Sequence, residues 1–291
     1  RYLVAKNEEA YRDVFTIHYP DEERPDARPV KTSPVYDKLK RMGAVFGQRY
    51  GWERANWFAP EGVEPKDVWS FRRTNYFEHV GNECRRLREK VGVIDLTPFT
   101  KFEVTGPGAE GWLDSLVANK VPTKVGRIAL CHALTQRGGI RSEFTITKLA
   151  DHHYYVVSAG AAERYDSDFL QKRLPTDGSV ALRNITGSRG VFVLAGPRAR
   201  DVLAKLTDVP LDNASFPWLT GQVIEAGLAT DVYALRVNFV GALGWELHFP
   251  IEYAHGLFDA IFTAGAEFGI GMAGVRAMEA LRMEKSDRMW G

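Results

Sequence analysis

Twice along this chain an extended apolar run reaches a Gly-Pro step and passes into helix-forming sequence, first at Val104-Thr105-Gly106-Pro107 and again at Leu194-Ala195-Gly196-Pro197. Proline suits the first turn of a helix, where its missing N–H would have no partner anyway and its fixed φ is already helical. Two such corners read as one strand-helix unit used twice. That predicts an α+β fold with two related subdomains around one site.

The rest of the sequence supplies the other elements. Tyr76, Val80, Cys84, Leu87 and Val91 recur at helical spacing, which predicts an amphipathic helix over 75–91, ended by Gly92. Further helices are predicted over 108–116, 161–174, 197–206, 253–268 and 273–284. Strands are predicted over 101–105, 127–134, 143–148, 154–158, 180–185, 190–194, 222–225, 232–238 and 246–249. Residues 1–62 are rich in proline, aromatics and charge and read as an arm, with helical candidates only over 8–15 and 34–41. Within it, residues 43–58 hold five aromatics and three glycines, rings that would be poorly soluble if exposed. The arm is therefore expected to lie against another protein surface. Pro60-Glu61-Gly62 and Pro65 mark a linker, and residues 63–291 form the main domain.

Several function classes are excluded early. A net charge of +1 with dispersed Lys and Arg leaves no basic stripe for nucleic acid. No apolar run approaches the roughly 20 residues needed to cross a bilayer, so no membrane partner is expected. Cys84 and Cys131 lie far apart without Cys-x-x-Cys spacing and read as buried thiols in a reducing compartment. His152 and His153 are adjacent and would point to opposite faces of a strand, so no metal site is expected. Dinucleotide, Walker and nucleophile-elbow motifs are all missing, and the glycine turns at Gly138 and Gly241 feed strands rather than helices.

What remains is two acids. Glu246, in Gly244-Trp245-Glu246-Leu247-His248-Phe249, shares a strand face with His248, and its carboxylate could accept two hydrogen bonds from a planar donor pair. The alternative is a half-exposed strand with its polar side in water. Glu143 follows the hairpin signature Gly138-Gly139 and shares a face with Thr145 and Thr147, while Ser142, Phe144 and Ile146 share the other.

The hairpin Gly138-Gly139-x-x-Ser142-Glu143-Phe144-Thr145, the join Val91-Gly92-Val93-Ile94-Asp95-Leu96-Thr97, the Gly-Trp-Glu-Leu segment and Arg282-Met283-Glu284-Lys285 together resemble the tetrahydrofolate-binding aminomethyltransferase family. That family includes the T-protein of the glycine cleavage system. The arm, from Ser33-Pro34-Val35-Tyr36 through Gly51-Trp52-Glu53-Arg54, is similar to the segment joining the flavin-bearing half of dimethylglycine and sarcosine dehydrogenases to their C-terminal folate half. The resemblance implies an aminomethyltransferase-like fold with subdomains around a central channel that holds tetrahydrofolate, and a chain truncated at its C-terminal end. It assigns Glu143 as the catalytic acid, where the family usually has Asp. It places Glu143, Phe144, Thr145, Phe239, Glu246, Leu247 and His248 around the cofactor, with Glu246 clamping the pterin and Phe239 standing where Tyr is common. Met278 falls where the T-protein carries its tail-binding arginine, which leaves that task to Arg276 or to residues absent from this sequence.

The implied function is one-carbon transfer in an N-demethylating enzyme, in which an iminium or formaldehyde unit is captured to give 5,10-methylenetetrahydrofolate. FAD would come only from an absent flavin-bearing oxidoreductase domain or subunit, and the small-molecule substrate would be an N-methyl amine. The location implied is cytoplasmic, or the mitochondrial matrix in a eukaryote. Two other readings stay open: a flavin-independent aminomethyl- or methyltransferase, and a non-catalytic folate-binding module.

Overall fold

A computed structural model describes residues 1–290 of the chain. The N-terminal region holds α1 (Tyr2–Arg12), α2 (Tyr36–Arg41), β1 (Ala44–Arg49) and β2 (Trp52–Phe58), followed by α3 (Phe77–Glu89) and β3 (Gly92–Asp95). Next come β4 (Thr100–Thr105), α4 (Ala109–Leu116), β5 (Ile128–Leu134), β6 (Ile140–Ala150), β7 (His153–Ser158), α5 (Glu163–Gln171) and β8 (Ala181–Asn184). The same order then repeats as β9 (Arg189–Ala195), α6 (Ala199–Leu203), β10 (Gly221–Ala226), β11 (Ala229–Leu235), β12 (Gly244–Pro250) and α7 (Ala254–Gly265). β13 (Gly271–Met272) and α8 (Val275–Glu284) complete the described elements.

The duplication read from the Gly-Pro corners is thus a structural one. One sheet runs β5-β6-β7-β4-β8 and the other β10-β11-β12-β9-β3-β13, so each strand of the first unit has a counterpart in the second. At both corners glycine is required. Gly106 and Gly196 take φ of 115° and 127°, and a Cβ there would sit 2.4 Å from Ser179 O and 2.5 Å from Lys90 O.

The two units exchange their first strands. β3 leads into β4 yet pairs antiparallel with β9 in the other sheet, while β8 leads into β9 yet pairs with β4. Matching latches hold both crossings. Asp95 Oδ1 accepts the Thr97 N–H and Asn184 Oδ1 accepts the Thr186 N–H, each at 2.9 Å. The freed threonine hydroxyls then accept from the opposite unit, Thr97 Oγ1 from the Val191 N–H and Thr186 Oγ1 from the Lys101 N–H. Leu96 and Ile185 donate their N–H groups to the carbonyls of the same two residues, Val191 and Lys101.

Alternation divides each sheet into two faces. Ile128, Tyr155 and Val157 from one sheet meet Tyr233 and Leu235 from the other. The outward faces pack on helices: Phe144, Ile146 and Tyr154 join Trp112 of α4 and Phe169 of α5, and Trp245, Leu247 and Phe249 join Val202 of α6 and Ile261 of α7. β9 is buried along its whole length because it is central in its sheet.

The aromatic stretch of the arm folds differently from expectation. β1 and β2 form an antiparallel hairpin in which this chain itself buries Trp57 and partly covers Phe46, Trp52 and Phe58, while Tyr50 in the turn is exposed. The fully buried Trp57 stacks on His79 of α3 with ring centroids 5.4 Å apart, and its Nε1–H donates to Asp67 at 2.8 Å. Glu83 of α3 accepts N–H groups from Phe58 at 2.7 Å and from Gly274, just before α8, at 2.8 Å. Most of these rings thus pack within this chain.

Candidate functional site

A cavity of roughly 780 Å³ opens between the two sheets, within the size range of small-molecule sites. Its walls include Phe99, Leu130, His132, Glu143, Thr145 and Val157 from the first unit, and Trp218, Asn238, Phe239 and Glu246 from the second. The segment 285–290 runs along its edge and adds Lys285, Arg288 and Trp290.

Glu143 and Thr145 reach the cavity because the inner face of β6 takes every second residue. The hairpin register places His132 of β5 opposite Glu143, and His132 Nε2 lies 3.0 Å from Glu143 Oε2. Glu246 arrives from β12, in the other unit. It is only 4% exposed, and the sole hydrogen bond of its carboxyl group among the described residues joins Oε2 to His248 Nε2 at 3.1 Å. His248 Nδ1 in turn meets the Tyr155 hydroxyl of β7 at 2.8 Å, so a line of three buried polar groups crosses from one sheet to the other. With no Lys or Arg paired to it among the described residues, burial pushes the Glu246 carboxyl up to about 8. Burial, with Lys101 and Arg189 nearby, holds the His248 imidazole well below its ordinary value.

The structure gathers Glu143, Thr145, Phe239 and Glu246 at one cavity. It does not bring Phe144 or Leu247 there. Both point outward into the helix-covered cores, Phe144 1% and Leu247 0% exposed, because each adjoins an inward-facing glutamate on a strand. His248 is on the inner face but stands behind Glu246 rather than at the cavity wall. The half-exposed alternative for β12 is excluded, since six of its seven residues are buried. Arg276 is not at the cavity either; its guanidinium bonds Asp67 at 2.7 Å and lies 3.7 Å over the Tyr76 ring. Sequence reasoning missed His132 and Tyr155, and also Asn238, Lys285, Asp287 and Arg288 at the cavity wall. Counting back across the Gly138-Gly139 turn would have found His132, whereas nothing local in the sequence marks Tyr155.

A model of the GCVT N-terminal domain family matches residues 35–291. The chain therefore belongs to the GCVT aminomethyltransferase family, with a mixed helix and sheet fold of the T-protein type. Its first 33 residues match a different model, the FAD dependent oxidoreductase central domain. Over its whole length the chain is 38% identical to mouse mitochondrial dimethylglycine dehydrogenase, covering 33% of that protein. It is 31% identical to the 4-methylaminobutanoate oxidase (formaldehyde-forming) of Paenarthrobacter nicotinovorans, again over its whole length and 35% of the relative. It thus spans about one third of the length of these curated relatives. In fold it resembles the glycine cleavage system aminomethyltransferase T of Bartonella henselae, with a TM-score of 0.72 at 22% identity over 89% of this chain and 64% of that one. No helix is long and apolar enough to cross a membrane among the described residues.

Proposed function

We infer that this chain is the tetrahydrofolate-binding, one-carbon-transfer part of an N-demethylating amine oxidoreductase. The observation that carries this reading is Glu246: a buried carboxyl group with one oxygen held by His248 and no Lys or Arg paired to it among the described residues, facing a cavity of small-molecule size. A ligand edge bearing two adjacent N–H donors, as on a reduced pterin, satisfies it. When bound, tetrahydrofolate supplies nucleophilic nitrogens for a one-carbon unit at the oxidation level of formaldehyde.

The chain's own groups do the rest. Glu246 orients the pterin edge and Phe239 borders the ring. Glu143 stabilises the cationic one-carbon unit and accepts the one net proton lost when its carbon bonds to both folate nitrogens and its bond to the departing amine breaks, giving 5,10-methylenetetrahydrofolate and the free amine, with His132 fixing the Glu143 carboxyl group. Oxidation of the N-methyl amine belongs to a flavin-bearing domain or subunit. The match of residues 1–33 to an FAD dependent oxidoreductase domain supports that partner, and the mitochondrial name of the mouse relative supports a matrix location.

Calorimetric titration with tetrahydrofolate tests the reading. Glu246→Ala is expected to weaken binding by about 2 to 4 kcal/mol, as for a lost charge-assisted pair. Unchanged affinity in that variant would sink the assignment.

A further inference from the structure

Tyr155 is fully buried, and its hydroxyl has one hydrogen-bond partner among the described residues, His248 Nδ1 at 2.8 Å. A phenol carries a single proton, and a buried donor without an acceptor costs on the order of 1 to 3 kcal/mol. That proton is accommodated only if Nδ1 is the bare nitrogen of a neutral imidazole. The imidazole proton then sits on Nε2 and points at Glu246 Oε2, 3.1 Å away. Oε2 is thereby occupied as an acceptor, and Oε1 is left as the carboxyl oxygen free to face the cavity.

We propose that Tyr155 and His248 are positioning residues that fix Glu246 so that it titrates through its cavity-facing oxygen, making occupation of the cavity by a donor-bearing ligand coincide with release of one proton from Glu246. The proposal deepens the reading of the cavity as a pterin site and rests on it for the identity of the ligand. In the empty cavity Oε1 carries a proton, since burial favours the neutral acid near pH 7. A ligand edge with two N–H donors meets the Oε1 proton donor to donor and is accepted far better by the carboxylate. The proton on Oε1 leaves through the cavity to solvent, the carboxylate accepts the ligand's donors, and the protons on His248 and Tyr155 stay where they were.

The charged and titratable surroundings agree with a neutral imidazole. His248 is faced by Tyr155 on β7, Tyr233 on β11, Lys101 on β4 and Arg189 on β9, whose Nη1 donates to the His248 carbonyl at 3.3 Å. Asp95 lies near Lys101, and Asp231 pairs with Arg189. The cavity that Glu246 faces is also lined by Glu143, His132, Lys285, Asp287 and Arg288. Arg189 beside the ring opposes its protonation, as does Lys101 while charged, its own ammonium being lowered to about 7 by burial, so His248 acts as a fixed donor rather than a second titrating site.

Two measurements on the full chain decide the matter. Long-range 1H–15N correlation of the imidazoles in the ligand-free protein is expected to show His248 as the Nε2–H tautomer, with a mixed population in Tyr155→Phe. An Nδ1–H tautomer in the unsubstituted protein overturns the proposal, and this arm needs no ligand. Calorimetry with tetrahydrofolate in buffers of differing ionisation enthalpy is expected to show close to one proton released at about pH 7, falling toward none above about pH 9, with affinity rising about tenfold per pH unit below about pH 8. Tyr155→Phe is expected to lose about tenfold in affinity near pH 7 and to recover within about twofold near pH 9, because excess hydroxide removes the proton that misplacement of His248 retains. Equal loss at both pH values, or binding without proton release in the unsubstituted protein, overturns the relay. Should Tyr155→Phe not fold, Glu246→Gln serves instead: its residual binding is expected to release no proton, and undiminished release overturns the proposal. Absence of tetrahydrofolate binding by the unsubstituted chain would overturn the function proposed above, with the tautomer measurement still deciding the relay.

Discussion

Glu246 shapes stability as well as binding. Its carboxyl group titrates near 8 in the folded chain against an ordinary 4.5, so the unfolded chain gives up this proton first. The stability it contributes is complete below about pH 4.5 and is lost as pH rises through about 8. Denaturant unfolding is therefore expected to show the native chain losing on the order of a few kcal/mol more than Glu246→Gln between pH 5 and pH 8.5. An equal pH dependence in the two proteins would contradict the burial described here. Glu143 makes a different prediction. Replacing it by Gln removes the proton acceptor but keeps the shape, and methylenetetrahydrofolate formation with a flavin-dependent partner is expected to slow by about 10² to 10⁴ with little change in tetrahydrofolate affinity. At this scale the sequence was legible where alternation was applied strictly. Glu246 with His248, and Glu143 with Thr145, share faces as period 2 requires, whereas Phe144 and Leu247 were drawn in by adjacency, which on a strand means the opposite face. Tyr155 was out of reach because its partner is 93 residues away and in the other sheet.

The elements were legible to the extent that their signals are local. Helices and long strands follow from apolar spacing, and the Gly-Pro corners announced the repeat. β3 and the β1–β2 hairpin were not foreseen. β3 is four residues long and buried throughout, so it shows no alternation, and the hairpin's rings suggested an external partner. Nor could local pattern show the strand exchange, because the Asx turns at Asp95 and Asn184 do not reveal which sheet the strand before them joins. The exchange predicts matched energetics. Thr97→Val and Thr186→Val each leave one buried N–H of the opposite unit without its acceptor, and each is expected to lower unfolding free energy by about 1 to 3 kcal/mol in urea titration. A loss confined to one of the two would show that the latches are not equivalent.

In the whole molecule, the cavity takes one of its acids from each unit, so its geometry depends on how the units dock. Glu83 performs a comparable task at the N-terminal end, where it ties α3 to β2 and to the start of α8. Glu83→Ala leaves two backbone N–H groups unpaired and is expected to lower stability by about 2 to 4 kcal/mol, read as a shift in the urea midpoint without loss of the slope. The exchanged strands have a consequence for topology. Opening the chain in the α5–β8 connection would yield two polypeptides, each missing a strand that the other carries and each holding one of the two glutamates of the cavity. Neither piece is self-sufficient, so the cut would turn one chain into an obligate heterodimer, and a primordial single unit would have had to find its missing strand in a second copy of itself.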